Sequence, residues 1–170
     1  MDTTRGIENG AYHEAGHTVI AYQVGWWVRY VAIERVGDGK RDYTAVSCRS
    51  WDHTAWRRVI INCAGWQAGC KHDPRHSFKI DTDSLKEDLE FYIDDELEEG
   101  DQLDSLRAIR EEQPDRSDSE IIDCFRSLEA ECWEMLNNPE IWANVVKVAE
   151  ALLVKGKLLQ DEVEALLNIH

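Results

Sequence analysis

Histidine and glutamate stand side by side only once in this 170-residue chain, in "AYHEAGHTVIAY", residues 11–22. His13 and His17 lie four residues apart, slightly more than one helical turn, so a helix here puts both imidazoles on one face. Two ring nitrogens can then meet a single Zn²⁺ at about 2.0–2.1 Å. Glu14 is rotated by roughly 100° from His13. It falls beside such an ion rather than on it, where a carboxylate can take a proton from an acidified water. That is the division of labour in the H-E-x-x-H pattern of zinc peptidases. A glycine costs about 1 kcal/mol inside a helix, so Gly16, next to the equally small Ala15, signals close approach by another backbone or by further ligands.

Catalytic zinc takes three protein ligands and keeps a fourth position open, so a third ligand is needed. His53, His72, His76 and His170 compete as imidazoles. His72 and His76 are also four apart, but Pro74 between them works against a shared helical face, and solvated loop histidines are expected there. Among carboxylates, Asp81, Asp83, Asp88, Asp101 and Asp104 are all available. An acidic run is ordinarily a solvated face, and composition does not choose among them. Asp101 has a competing use as the N-cap of the helix that follows.

These residues need elements to hold them. Residues 8–24 read as a helix. "WVRYVAIERV" and "DYTAVSC", joined by "GDGKR", read as a β-hairpin. Helical spacing returns over 51–70, with Asp52 near its start. After the loop "KHDPRHSFKIDTD", residues from "DSLKEDLEFYIDDELEE" suggest a helix stopping at Gly100. "DQLDSLRAIREE" is a short helix closed by Pro114. Two longer helices follow over 117–137 and 139–156, the second opened by Pro139, and "LQDEVEALL" forms the last. The expectation is a mainly α, multihelical single domain spanning 1–170, with one small β-hairpin after the histidine-bearing helix.

The chain carries 34 acidic and 19 basic side chains, a formal charge of −15. That field disfavours nucleic acid and anionic membrane surfaces. No apolar run approaches the roughly 20 residues that cross a bilayer, and "MDTTRGIENG" lacks the layout of a secretory signal. The five cysteines (Cys48, Cys63, Cys70, Cys124, Cys132) include no C-x-x-C pair, which points to reduced thiols and a cytoplasmic setting. The seven tryptophans are expected to serve packing. Trp26 and Trp27 cannot both face inward on an extended segment, so one of them is a candidate for exposure near a cleft.

"AYHEAGH" resembles the zinc-binding helix of the FtsH-type metallopeptidases, proteolytic domains usually attached to a membrane-bound AAA ATPase. "VRYVAIERVGDGKRDYTAVS" is similar to the strand pair that follows the helix there, and "VIINCAGWQAG" to the next helix with its "LAGRAAE"-like core. "GDQLDSLRAI" resembles the family's "GASNDLERAT" segment, and the closing helices share its "L…G-x-L-x-x-x-E-V" finish. The resemblance implies a stand-alone zinc endopeptidase in which His13, His17 and Asp104 hold Zn²⁺ and Glu14 is the catalytic base. The second hairpin strand, Thr44, Ala45, Val46 and Ser47, would align an extended peptide substrate by backbone pairing. The departures are equally visible. There is no glycine-rich phosphate loop, so the expected activity is ATP-independent and confined to short or unfolded polypeptides unless a partner protein delivers substrate. Trp66 and Gly69 stand where the family has arginine and glutamate, and residues 71–99 have no clear counterpart. The alternative is a catalytically silent zinc-binding regulatory or interaction domain on the same scaffold.

Overall fold

The structure, a computed structural model, describes residues 3–35, 41–43, 48–49, 54–76, 80–95 and 99–169. Among them it is mainly α, with seven α-helices and a small β-hairpin after the first. Helix α1 (Thr3–Gln23) starts five residues before its apolar pattern does. It stops at Gly25, whose φ of +80° is the left-handed conformation that glycine adopts freely. Trp26 N–H donates to Ala21 O at 2.8 Å and Gly25 N–H to Tyr22 O at 3.1 Å, the paired bonds of a Schellman motif. The chain then turns sharply into β1 (Trp27–Val28). Trp26 is buried and Trp27 is 39% exposed, the alternation that an extended backbone requires.

Strand β2 (Tyr30–Arg35) pairs antiparallel with β3 (Arg41–Tyr43), Ile33 opposite Tyr43, and this is the expected hairpin. Strand β4 (Cys48–Arg49) pairs with β1. Thr44, Ala45, Val46 and Ser47 lie outside the described residues, as does Asp52.

Helix α2 (Ala55–His72) crosses α1 at Gly16. A Cβ on Gly16 would run into the Ala64 carbonyl and come within 2.7 Å of Ala68 Cβ, so the glycine is what lets the two backbones touch. A single 3₁₀ turn (Pro74–His76) follows. Helix α3 (Thr82–Glu87) is capped by Asp81, whose carboxylate accepts from Ser84 N–H at 2.7 Å. It passes into a π-helical turn, Asp88–Tyr92. The expected helix up to Gly100 therefore ends earlier. The carbonyls that a continuing helix would have used, those of Tyr92, Ile93 and Asp95, accept instead from the Arg107 guanidinium. Gly100 is the N-cap of helix α4 (Asp101–Glu112) and not a C-terminal stop.

Helix α5 (Asp118–Asn137) opens with a Ser117–Glu120 capping box. Helix α6 (Pro139–Lys155) has proline in its first turn and Gly156 at its end, φ +75°. Lys71, at the end of α2, donates to Leu136 O and Asn137 Oδ1 at 2.6 and 2.8 Å, closing the last turn of α5. Strand β5 (Lys157–Leu159) pairs with the free side of β2, Tyr30 opposite Leu159, before helix α7 (Gln160–Leu167). Three residues carry too little alternation to mark a strand, and β5 had no sequence signal. The core runs between α1, α2, α5 and α6 through Val19, Ile20, Ile60, Phe125, Leu136, Val148 and Leu152, all fully buried. Among the described residues no helix is long and apolar enough to cross a membrane.

Candidate metal centre

Helix α1 delivers His13 and His17 one turn apart, and their Nε2 atoms lie 3.0 Å from each other. One carboxylate oxygen, Asp101 Oδ2, is 3.3 Å from both. Asp101 is the first residue of α4, so the three donors come from two helices packed on a third, α2. His17 Nδ1 lies 2.7 Å from Ile61 O in α2. That carbonyl can only accept, so Nδ1 carries a proton, and in the neutral imidazole Nε2 keeps a lone pair aimed at the cluster. Three electron-rich atoms thus converge on one point. A proton there can bridge only one pair of them, whereas a cation serves all three.

The spacing fits zinc. Tetrahedral ligands at about 2.0–2.1 Å from an ion stand about 3.3 Å from each other, and the observed separations are 3.0, 3.3 and 3.3 Å. Gly65 of α2 supplies an independent sign. A Cβ there would overlap His17 Nε2 and lie 2.7 Å from His13 Nε2. That volume, flanked by both ligand nitrogens, stays clear only because residue 65 has no side chain. Helix α2 closes this side of the cluster, and the approach from solvent runs past His13 and Asp101, whose side chains are 26% and 39% exposed.

The charges of the three groups act strongly on one another. Burial opposes charge on His17. The bond to Asp101, the negative charges of Asp101 and Glu14, and the Ile61 carbonyl outweigh it and push the imidazole up to about 9. His13 is held below its ordinary value by burial, with Asp101 pulling the other way. Burial works against ionised Asp101 too, but its bonds to the two histidines hold it well below the usual carboxylate range. The negative charge of Asp101 thus favours a proton on His17, and the same charge would favour a cation among the three groups.

Glu14 is 2% exposed, and burial raises it to about 7, with His17 lowering and Asp101 raising it further. Hydrogen bonding to its carboxylate plays no part in that shift. Its backbone carbonyl accepts from Thr18 Oγ at 2.8 Å, which ties down the turn between the two histidines.

No family model matches this chain, and no curated protein matches it. What the geometry shows is a helical scaffold bearing a His13–Glu14–His17 motif with Asp101, an arrangement consistent with a zincin-like centre.

The resemblance implied Asp104 as the third ligand, but the structure brings Asp101 to the imidazoles in its place. Asp104, three residues further along α4, is 49% exposed and pairs with Arg107 Nη1 at 3.3 Å. The two aspartates share the first turn, and the crossing of α4 over α2 decides which one faces α1. The N-cap role expected of Asp101 is taken by Gly100 itself. Asp81 caps α3, Asp83 pairs with exposed Lys86, and Asp88 accepts from Gln102 at 2.7 Å. His72 is not a solvated loop residue. It ends α2 and stacks flat on Tyr12, with ring centroids 3.6 Å apart. His53, His170 and the side chain of His76 lie outside the described residues.

Proposed function

We propose that this chain is a zinc-dependent endopeptidase acting without ATP on short or unfolded polypeptides. The observation that carries this is the convergence of His13 Nε2, His17 Nε2 and Asp101 Oδ2 within 3.3 Å, with the buried Glu14 carboxylate beside them. His13, His17 and Asp101 would hold the zinc, which would supply Lewis acidity and lower the pKa of a bound water towards about 7. Glu14 takes the proton from the attacking water and returns it to the departing amine. A carboxylate raised to about 7 by burial suits both transfers near neutral pH. Gly65 and α2 exclude bulk water from the back of the site, so a substrate carbonyl enters past His13 and Asp101. Residues 44–47, outside the described set, are assigned by the same proposal to pair with an extended substrate. Cys63, Cys124 and Cys132, which form no disulfide among the described residues, accord with the reducing, cytoplasmic setting that belongs to it.

The test is hydrolysis of a disordered polypeptide by zinc-loaded protein, with and without chelator, beside a Glu14→Gln variant. Cleavage should stop with chelator. It should also fall by about 10²-fold or more in the variant while bound zinc is unchanged. A variant that keeps its zinc and cleaves at the parent rate would refute the mechanism. Zinc binding with no cleavage by the parent protein would leave a silent metal-binding regulatory or interaction domain in its place.

A further inference from the structure

Asp101 reaches the imidazoles from a helix end that has no side-chain cap of its own. The N-cap is Gly100, which has no side chain to accept from the first N–H groups. Uncapped turns fray, because their first N–H groups lack partners. A metal ligand needs the opposite, a fixed position. The first turn of α4 is therefore held by other means. Ser105 Oγ donates to the Asp101 carbonyl at 2.6 Å, but both groups sit on α4, so that bond cannot set α4 against its neighbours. Gln102 Nε2 donates to Ser84 Oγ and Asp88 Oδ2 at 3.0 and 2.7 Å, fixing the turn towards α3. Towards the metal side, one side-chain bond among the described residues reaches the Asp101 backbone from α2: Asn62 Nδ2 to the Asp101 carbonyl, 3.3 Å.

Asn62 occupies a telling position. Its preceding residue, Ile61, provides the carbonyl that orients His17, and Gly65, three residues on, leaves the space between the ligand nitrogens. One turn of α2 thus touches every part of the cluster. We propose that Asn62 is a positioning residue of the metal centre: its side-chain amide holds the start of α4 so that the Asp101 carboxylate meets His13 and His17. The proposal rests on the metal reading of the cluster and extends it to a residue that touches neither the ion nor a ligand atom.

A double-mutant cycle on zinc affinity tests it, read by competition against a chromophoric chelator with zinc alone as the probe. Asn62→Ala should weaken zinc binding by about 10- to 100-fold, the usual cost of removing a group that orients a ligand. In an Asp101→Ala background the same change should cost less than about threefold, because the group it positions is gone. A purely structural role would weaken both backgrounds alike, and that additivity would overturn the proposal, as would no loss in either. Asn62→Leu, close in shape but without a donor, should behave in the same way and covers a failure of the alanine variant to fold. Absence of zinc binding by the unaltered protein would sink the metal reading and this inference together, whereas additive losses sink the inference alone.

Discussion

Replacing Asp101 and Asp104 separately by alanine asks which carboxylate completes the metal centre, and the two outcomes differ widely in size. Asp101 Oδ2 stands 3.3 Å from both ligand nitrogens. Its loss leaves two imidazoles and no negative charge on the ion. Four-ligand structural zinc sites bind with about 10–16 kcal/mol, or roughly 3–4 kcal/mol per ligand. Removing one of three donors should therefore weaken zinc binding by about 10²- to 10³-fold. Asp104 touches neither imidazole. It is half-exposed, and its ion pair with Arg107 belongs to a class worth about 0–1 kcal/mol. Asp104→Ala should leave zinc affinity within about threefold and cost little stability. Competition titration near neutral pH measures the affinity, and elemental analysis the metal retained on purification. If Asp104→Ala lost zinc while Asp101→Ala kept it, the packing of α4 on α2 described above would be wrong by one turn.

Zinc affinity should also depend on pH. His17, raised to about 9 without metal, must surrender a proton to bind zinc, so apparent affinity should climb by up to about tenfold per pH unit from neutrality and level off above about 9. In chelated protein the same shift makes a stability contribution that is complete below about 6.5 and is lost as pH rises through about 9. Its melting temperature should therefore fall between pH 7 and 9, and a flat profile would contradict the His17–Asp101 pairing. Gly65→Ala should abolish zinc binding while far-ultraviolet circular dichroism shows the helices intact, because the new methyl meets imidazole side chains that can swing away. Gly16→Ala should act on stability instead. Its methyl meets the Ala64 backbone, so urea unfolding should show a loss of about 1–3 kcal/mol. An exposed helical glycine would gain about 1 kcal/mol from the same change.

The parts of this molecule governed by local periodicity were legible in the sequence. His13 and His17 had to share a face once residues 11–22 were helical, and Pro139 and Gly156 bracket α6 as their backbone preferences require. Gly16 announced a close helix crossing by its cost alone. What failed was set by contacts distant in sequence. Asp101 and Asp104 are equivalent by composition and turn, and only the docking of α4 on α2, with Arg107 holding Asp104 aside, separates them. The helix expected to reach Gly100 stops short because Arg107, fifteen residues past Tyr92, takes its terminal carbonyls. His72 gave no hint of its stack on Tyr12, sixty residues earlier in the chain, because that meeting is set by the packing of α2 on α1.

Strand β5 has a consequence for how the molecule is made. Gln160 N–H donates to Arg29 O and Ile33 N–H to Gly156 O, so the backbone leaving α1 is stitched to chain synthesised some 130 residues later. The strand that follows the histidine-bearing helix therefore stays half-paired until the chain as far as residue 160 has joined it. Contacts of this span are slow to close, because a long loop must be ordered before any bond repays it. Completion of the sheet around β2 is thereby set late in folding, after the local pairing of β2 with β3.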